Sequence, residues 1–278
     1  MGNLRTALLV WLQMRHLGGR VILRIEDLDT GRCREAAEHS ILQDLSWLGL
    51  DWDAFYRQSD RTAYYAEAMQ QLQTYPCSCS RKDIQEAISA PHGRTRVYPG
   101  TCLSHPLKKN RPTARRWHTP EMRVCVEDLY QPALCYDLTR QVGDFVLQRN
   151  DGAFAYHLAV VVDDGLMGVT HVVRGKDLWR ATPQQVALQT CLSFPRPLYG
   201  HVPLLYEAGK RMAKRDGSRG LTAYRAEGMT PQQVLSLLAR SLDWDVPDSV
   251  SLESLLAAIQ RGEIREPLFD RIVPEGCS

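Results

Sequence analysis

No run of apolar residues in the sequence is long enough to cross a bilayer, which sets helical membrane proteins aside. Neither charge dominates: 34 basic against 32 acidic side chains leave a net +2, which neither demands nor forbids a polyanionic partner. An evenly spaced cysteine framework is also missing. The eight cysteines, at 33, 77, 79, 102, 125, 135, 191 and 277, fall irregularly in a chain of 278 residues, long enough to build a core without cross-links. Nor does a small-residue cleavage site follow the apolar opening. Leu4, Ala7, Leu8, Trp11 and Leu12 recur at helical spacing with Arg5 and Arg15 between them, as in an amphipathic helix and not a secretion signal. These absences point to the cytoplasm, where all the thiols are expected to stay reduced. What remains, 44% hydrophobic and 24% charged, is the composition of an ordinary soluble globular protein.

Asn3 is a candidate cap for a helix reaching Leu17 and closed by Gly18-Gly19. Arg20–Ile25 reads as a buried strand that ends in Glu26-Asp27-Leu28-Asp29. A second helix is predicted over 34–48, stopping at Gly49, and a third after Ser59-Asp60 with Tyr64, Ala68 and Leu72 on one face. Helix, strand and helix in this order imply a parallel sheet with crossover helices. From 75 to 116 the apolar periodicity weakens and Pro, Gly, Ser, Cys and basic residues take over, as in an insertion. Strand patterns resume near 133–136 and 144–147, and Asn150-Asp151-Gly152 is a hairpin turn signal. The apolar stretch 153–162 fits helix or strand, and His171-Val172-Val173 reads as a short strand ending at Arg174-Gly175. Thr182-Pro183-Gln184-Gln185-Val186 and Thr230-Pro231-Gln232-Gln233-Val234 are near-copies, both read as helix starts with threonine at the cap.

Chemistry concentrates in a few places. Glu26 and Asp27 follow a strand at the sheet edge where open parallel sheets bind ligands, and a carboxylate there suits an ammonium or a ribose hydroxyl. Arg174, at another strand end, suits a bidentate grip on a carboxylate or a structural ion pair with Asp163 or Asp164. The glycine-flanked loop Gly209-Lys210-Arg211-Met212-Ala213-Lys214-Arg215-Asp216-Gly217 can clamp phosphates. The basic stretch Lys108-Lys109-Asn110-Arg111 with Arg115-Arg116 can do the same or be a solvated loop. Cys77-Ser78-Cys79 puts two thiolates within reach of one tetrahedral ion, and Cys102 can close the site, as in structural zinc centres. His92, His105 and Tyr98 are all candidates for the fourth ligand.

Together these pieces resemble the glutamyl-type class I aminoacyl-tRNA synthetases. Gly2-Asn3-Leu4-Arg5-Thr6-Ala7 looks like the helix start after the family's HIGH signature, and Arg24-Ile25-Glu26-Asp27-Leu28-Asp29 like its glutamate-site strand. The segment from Phe154 to Asp164 and Val173-Arg174-Gly175-Lys176-Asp177 resemble the next two blocks. Arg211-Met212-Ala213-Lys214-Arg215 sits where the KMSKS loop belongs. Blocks in a fixed order are more specific than any one alone. The resemblance implies a Rossmann-type α/β core over 1–74 and 117–220, a zinc-binding insertion over 75–116 and a short helical C-terminal region over 221–278. It also implies ATP-dependent activation of L-glutamate, with Mg2+, by a monomer. Glu26, Tyr156 and Arg174 would bind glutamate; Gly2, Met212 and Lys214 would bind ATP. One structural Zn2+ would be held by Cys77, Cys79, Tyr98 and Cys102, with His105 second to Tyr98.

The short C-terminal region and this cysteine–tyrosine set are most similar to the branch of the family that transfers glutamate to the queuosine base in the anticodon of tRNA(Asp). A shortened enzyme charging the tRNA 3′ end, and an inactive zinc-stabilised tRNA-binding protein, are the competing expectations. The sequence departs from the family in having Arg211 for the first lysine and Ala213 for the first serine of the loop. It also has no strand or Pro-Ser-Pro segment before Gly2, where the family carries an arginine for the substrate and a histidine for ATP. A misplaced start, with Met1 an internal methionine, is the expected explanation.

Overall fold

The protein is described by a computed structural model that covers residues 1–29, 35–89, 97–204, 206–207, 210–211 and 220–267. In chain order, α1 (Gly2–Leu17) leads into β1 (Ile22–Ile25), α2 (Glu35–Leu48), β2 (Ala54–Arg57), α3 (Thr62–Gln70) and β3 (Thr74–Cys77). Next come α4 (Arg81–Ser89), α5 (Thr101–Ser104), β4 (Ala114–Trp117), β5 (Arg123–Val126), β6 (Leu134–Asp137), α6 (Leu138–Gln141) and β7 (Val146–Gln148). Then follow α7 (Tyr156–Leu166), β8 (His171–Gly175), α8 (Thr182–Cys191), β9 (Leu198–Val202), the short β10 (Tyr206–Glu207) and β11 (Lys210–Arg211), and α9 (Leu221–Ala226), α10 (Pro231–Arg240) and α11 (Leu252–Gln260). None of the described helices is long and apolar enough to cross a membrane.

The parallel sheet is present as two separate pairs, β1 with β2 and β8 with β9. The second pair sits between two apolar clusters. Val172 and Tyr199, opposite each other in the register, pack with Leu158, Val161 and Val162 of α7 and Val186 and Leu188 of α8. One residue on, Val173 turns to the other face and meets the cluster of Leu8, Leu9 and Leu12 of α1, Leu238 of α10 and Leu255 of α11. Successive strand side chains point to opposite faces, and parallel strands need both faces covered. The segment from α9 to α11 is therefore part of the core around α1. Arg5, buried in α1, ties the two together by donating to the carbonyls of Ser241 and Pro203.

Several local expectations shift in the structure. The first helix starts two residues earlier than an Asn3 cap would allow, with Met1 at its N-cap; it ends as expected on Gly18, whose φ of 68° glycine accepts without strain. On α3 the inward residue is Tyr65, while Tyr64 is 47% exposed. Tyr65 is drawn in because its hydroxyl donates to buried Asp163 at 2.8 Å. The ambiguous stretch 153–162 resolves as the start of α7. Cys125 and Cys135, expected to be reduced, are joined in a disulfide. The β5–β6 register sets them directly opposite each other, with Cα atoms 4.0 Å apart.

Candidate active site and metal centre

Three residues distant in sequence come close together. Glu26 follows β1, Arg174 is the penultimate residue of β8, and Tyr156 is the first residue of α7. The Tyr156 hydroxyl accepts from Arg174 Nη1 at 3.4 Å. Arg24 links the other side, donating to Glu26 at 3.3 Å and to Asp164 of α7 at 2.8 Å. Partial removal from water raises the Glu26 carboxyl above its usual range against the pull of Arg24, and nearby Asp164 adds to the rise. Burial likewise raises the Tyr156 hydroxyl, with the Glu26 charge adding to it.

Arg174 is not in an ion pair of the kind the sequence allowed. Asp163 is taken by Gln58, Arg61 and Tyr65, and Asp164 by Arg24. Arg174 instead meets neutral acceptors: Nε donates to His201 Nε2 at 2.9 Å, and Nη2 to Thr182 Oγ1 at 2.9 Å and Gln185 Oε1 at 2.6 Å. With the bond to Tyr156, four of the guanidinium's five N–H groups are engaged. The bidentate grip expected from sequence has its Nε–Nη2 edge already filled. Arg174 Nη1 bonds to Tyr156, and among the described residues the groups that accept from this guanidinium are all uncharged.

A cavity of about 330 Å³ adjoins this group. It is lined by Gly2, Asn3 and Thr6 at the N-terminus of α1, by Arg174 and Gly175, and by Val202 and Pro203 at the end of β9. A helix N-terminus beside the carboxyl ends of parallel strands offers aligned N–H groups and a partial positive charge to phosphates. Gly2, expected to bind ATP, thus shares a cavity with Arg174. Met212 and Lys214, the other two expected ATP contacts, lie outside the described residues.

The second cluster lies between β3 and α5. Cys77, Cys79 and Cys102 place their sulfurs within 4.8 Å of one another. Cys79 and Cys102 are 3.5 Å apart, and the Tyr98 hydroxyl is 3.4 Å from Cys77 and 3.6 Å from Cys79. Tetrahedral zinc–thiolate bonds of ~2.3 Å require ligand separations of roughly 3.8 Å, so these four atoms fit one ion. Burial alone would push the Cys102 thiol up, but hydrogen bonds from Tyr98 and the Ser78 amide draw it down to about 7. Arg116, itself buried, donates to Cys77 Sγ at 3.2 Å and stacks over the Tyr98 ring at 3.9 Å, which offsets the negative charge of a thiolate-rich site. His105 points elsewhere: its ring bonds to Ser104 and to the Thr101 carbonyl. His92 lies outside the described residues. Of the basic stretch, Lys108 and Arg111 are held by Asp83.

A sequence model of the tRNA synthetases class I (E and Q), catalytic domain, matches residues 1–258. The chain belongs to that family. Among curated relatives, the Glutamyl-Q tRNA(Asp) synthetase of Deinococcus radiodurans is 54% identical over 266 residues, covering 92% of this chain and 90% of the relative. The protein of the same name from Symbiobacterium thermophilum is 42% identical, covering 96% and 91%. The Glutamate--tRNA ligase of Aquifex aeolicus is 38% identical, but the match takes in only 55% of that relative. Among solved structures, a glutamate-tRNA synthetase from Elizabethkingia anophelis superposes with a TM-score of 0.76 at 26% identity. That superposition covers 92% of this chain and 62% of the Elizabethkingia chain.

The spacing of family blocks pointed to Glu26, Tyr156 and Arg174, but not to the residues around Arg174. Asp128, His201, Thr182 and Gln185 belong to no catalytic pattern. The duplicated Thr-Pro-Gln-Gln-Val, which holds two of these residues, read only as a helix start.

Proposed function

We propose that the protein activates L-glutamate with ATP and Mg2+ in the cytoplasm and transfers it to the queuosine base in the anticodon of tRNA(Asp). One observation carries the choice of acceptor. Two relatives named Glutamyl-Q tRNA(Asp) synthetase match over 90% and 91% of their own length at 54% and 42% identity, whereas the Glutamate--tRNA ligase of Aquifex aeolicus is matched over only 55% of its length. Glu26 accepts the substrate ammonium, and Arg174 Nη1 with the Tyr156 hydroxyl takes a substrate carboxylate. Phosphates lie at the N-terminus of α1 by Gly2, and Met212 and Lys214 are the further ATP contacts. An oxygen of the glutamate α-carboxylate attacks the α-phosphorus, pyrophosphate leaves, and glutamyl-adenylate forms; the base then attacks the acyl carbon and AMP departs. The enzyme supplies no nucleophile. Its contribution is placement and charge stabilisation.

Cys77, Cys79, Cys102 and Tyr98 hold one structural Zn2+ that ties β3 to α5. Metal analysis of the native protein should return about one zinc per chain, and Cys77→Ser should abolish it and open 75–116 to proteolysis. For the reaction, glutamate-dependent ATP–pyrophosphate exchange without tRNA tests activation. Labelled glutamate offered to tRNA(Asp) with and without queuosine tests the acceptor: equal labelling of both overturns the queuosine reading.

A further inference from the structure

We propose that His201, fixed by Asp128, is a positioning residue that sets how Arg174 presents itself to the substrate carboxylate. The proposal rests on the reading that Arg174 binds glutamate. His201 and Arg174 are register partners on neighbouring parallel strands, so their side chains emerge side by side on the face covered by α7 and α8. Both the His201 ring and the Asp128 carboxylate are fully shielded from water. A pair with no solvent access has a fixed proton arrangement, and the neighbours determine it.

Asp128 Oδ1 accepts three backbone N–H groups, from Tyr130 and Gln131 at 2.9 Å and from His201 at 3.1 Å. Its Oδ2 faces His201 Nδ1. Burial pushes the Asp128 carboxyl up, but these donors outweigh it and hold the group below its ordinary value. An ionised carboxylate only accepts, so Nδ1 carries a proton. On the other side of the ring, Arg174 Nε–H can only donate, so Nε2 must present a lone pair. His201 is thereby locked as the neutral Nδ1–H tautomer. Thr182 Oγ1, 3.1 Å from Nε2, closes the same corner.

This lock acts on the guanidinium. A planar group held at Nε by His201 and at Nη2 by Thr182 and Gln185 cannot rotate, and its one remaining N–H lies on the edge beside Tyr156. Among the described residues every direct acceptor is uncharged, which leaves the positive charge for the ligand. The compensating carboxylate, Asp128, stands one ring behind it.

Steady-state ATP–pyrophosphate exchange with four variants tests this. His201→Phe keeps ring volume but removes the acceptor; a roughly tenfold or larger rise in the KM for glutamate is expected, with the KM for ATP within about twofold. His201→Gln places an amide oxygen near the Nε2 position and should recover most of that loss. Asp128→Asn, nearly isosteric, offers Nδ1 an amide donor, favours the opposite tautomer and should raise the glutamate KM as His201→Phe does. Melting temperatures near the parent's establish that the variants fold. An unchanged glutamate KM in both His201→Phe and Asp128→Asn overturns the proposal, as does a KM for ATP that rises in step. Arg174→Lys separates the two readings. If it leaves the glutamate KM untouched, the assignment of Arg174 fails. If only it raises that KM, the assignment stands and the positioning role falls.

Discussion

Two segments of nearly identical sequence start two helices and behave differently. At α10, Thr230 and Gln233 cap each other's backbone: Thr230 Oγ1 accepts from the Gln233 amide at 3.3 Å, and Gln233 Oε1 from the Thr230 amide at 2.8 Å. At α8 the same residue types at the same spacing, Thr182 and Gln185, accept from Arg174 Nη2 instead, and the helix start has no side-chain cap. A capping threonine contributes about 1 kcal/mol to stability. The α8 segment forgoes that contribution and spends its polar groups on a buried cation. One sequence motif thus serves as a structural cap where its surroundings are neutral and as a scaffold where a guanidinium approaches.

Removing the guanidinium breaks the contrast most severely. Arg174→Met should raise the glutamate KM by roughly a hundredfold or more in pyrophosphate exchange, since a ligand charge loses its partner. A pH series comes next, because a half-buried imidazole lies beside Tyr156 and feels the Arg174 charge. His157, the second residue of α7, is held down to about 4 by burial and by the Arg174 charge. The folded state therefore binds fewer protons than the unfolded chain between pH ~6.5 and ~4. This protonation should remove up to about 3 kcal/mol of stability as pH falls through that window, and nothing further below it. Denaturant melts across the window should show the slope flattened in His157→Gln and unchanged in Thr230→Ala.

Smaller effects follow from the two motifs themselves. Gln185→Leu removes one acceptor from Arg174 Nη2 and should raise the glutamate KM about tenfold. The equivalent change at α10, Gln233→Leu, should leave that KM alone. Thr230→Ala should lower stability by about 1 kcal/mol, visible as a drop of a few degrees in melting temperature, with kinetics unaltered. Thr182→Ala reverses the pattern: kinetics shift more than the melting temperature.

The sequence made legible what rests on local spacing. Cys77-Ser78-Cys79 with Cys102 was readable because metal ligands on a turn leave a spacing signature, and the structure gathers those thiols. Glu26 and Arg174 drew notice by their places at strand ends, but only the ordered family blocks gave them and Tyr156 a role. His201 and Asp128 were not readable. The aspartate lies 73 positions before the histidine, and only the docking of the segment after β5 on β9, where the Leu129 amide donates to the Tyr199 carbonyl, and burial make them a unit. The Cys125–Cys135 pairing was hidden for the same reason, since it depends on hairpin register. Thr182 was misread as a cap because the guanidinium that captures it, together with Gln185, comes from β8.

The burial of Arg5 against Ser241 also bears on synthesis. The two are 236 positions apart, so during translation α1 leaves the ribosome long before α10 exists to cover it. Until then Leu8, Leu9 and Leu12 lack the Leu238 and Leu255 side chains that later enclose them. Contacts this distant in sequence slow folding and leave sticky surface exposed meanwhile. The helix that lines the cavity is thus made well before the elements that enclose it, and its apolar face stays uncovered over that interval.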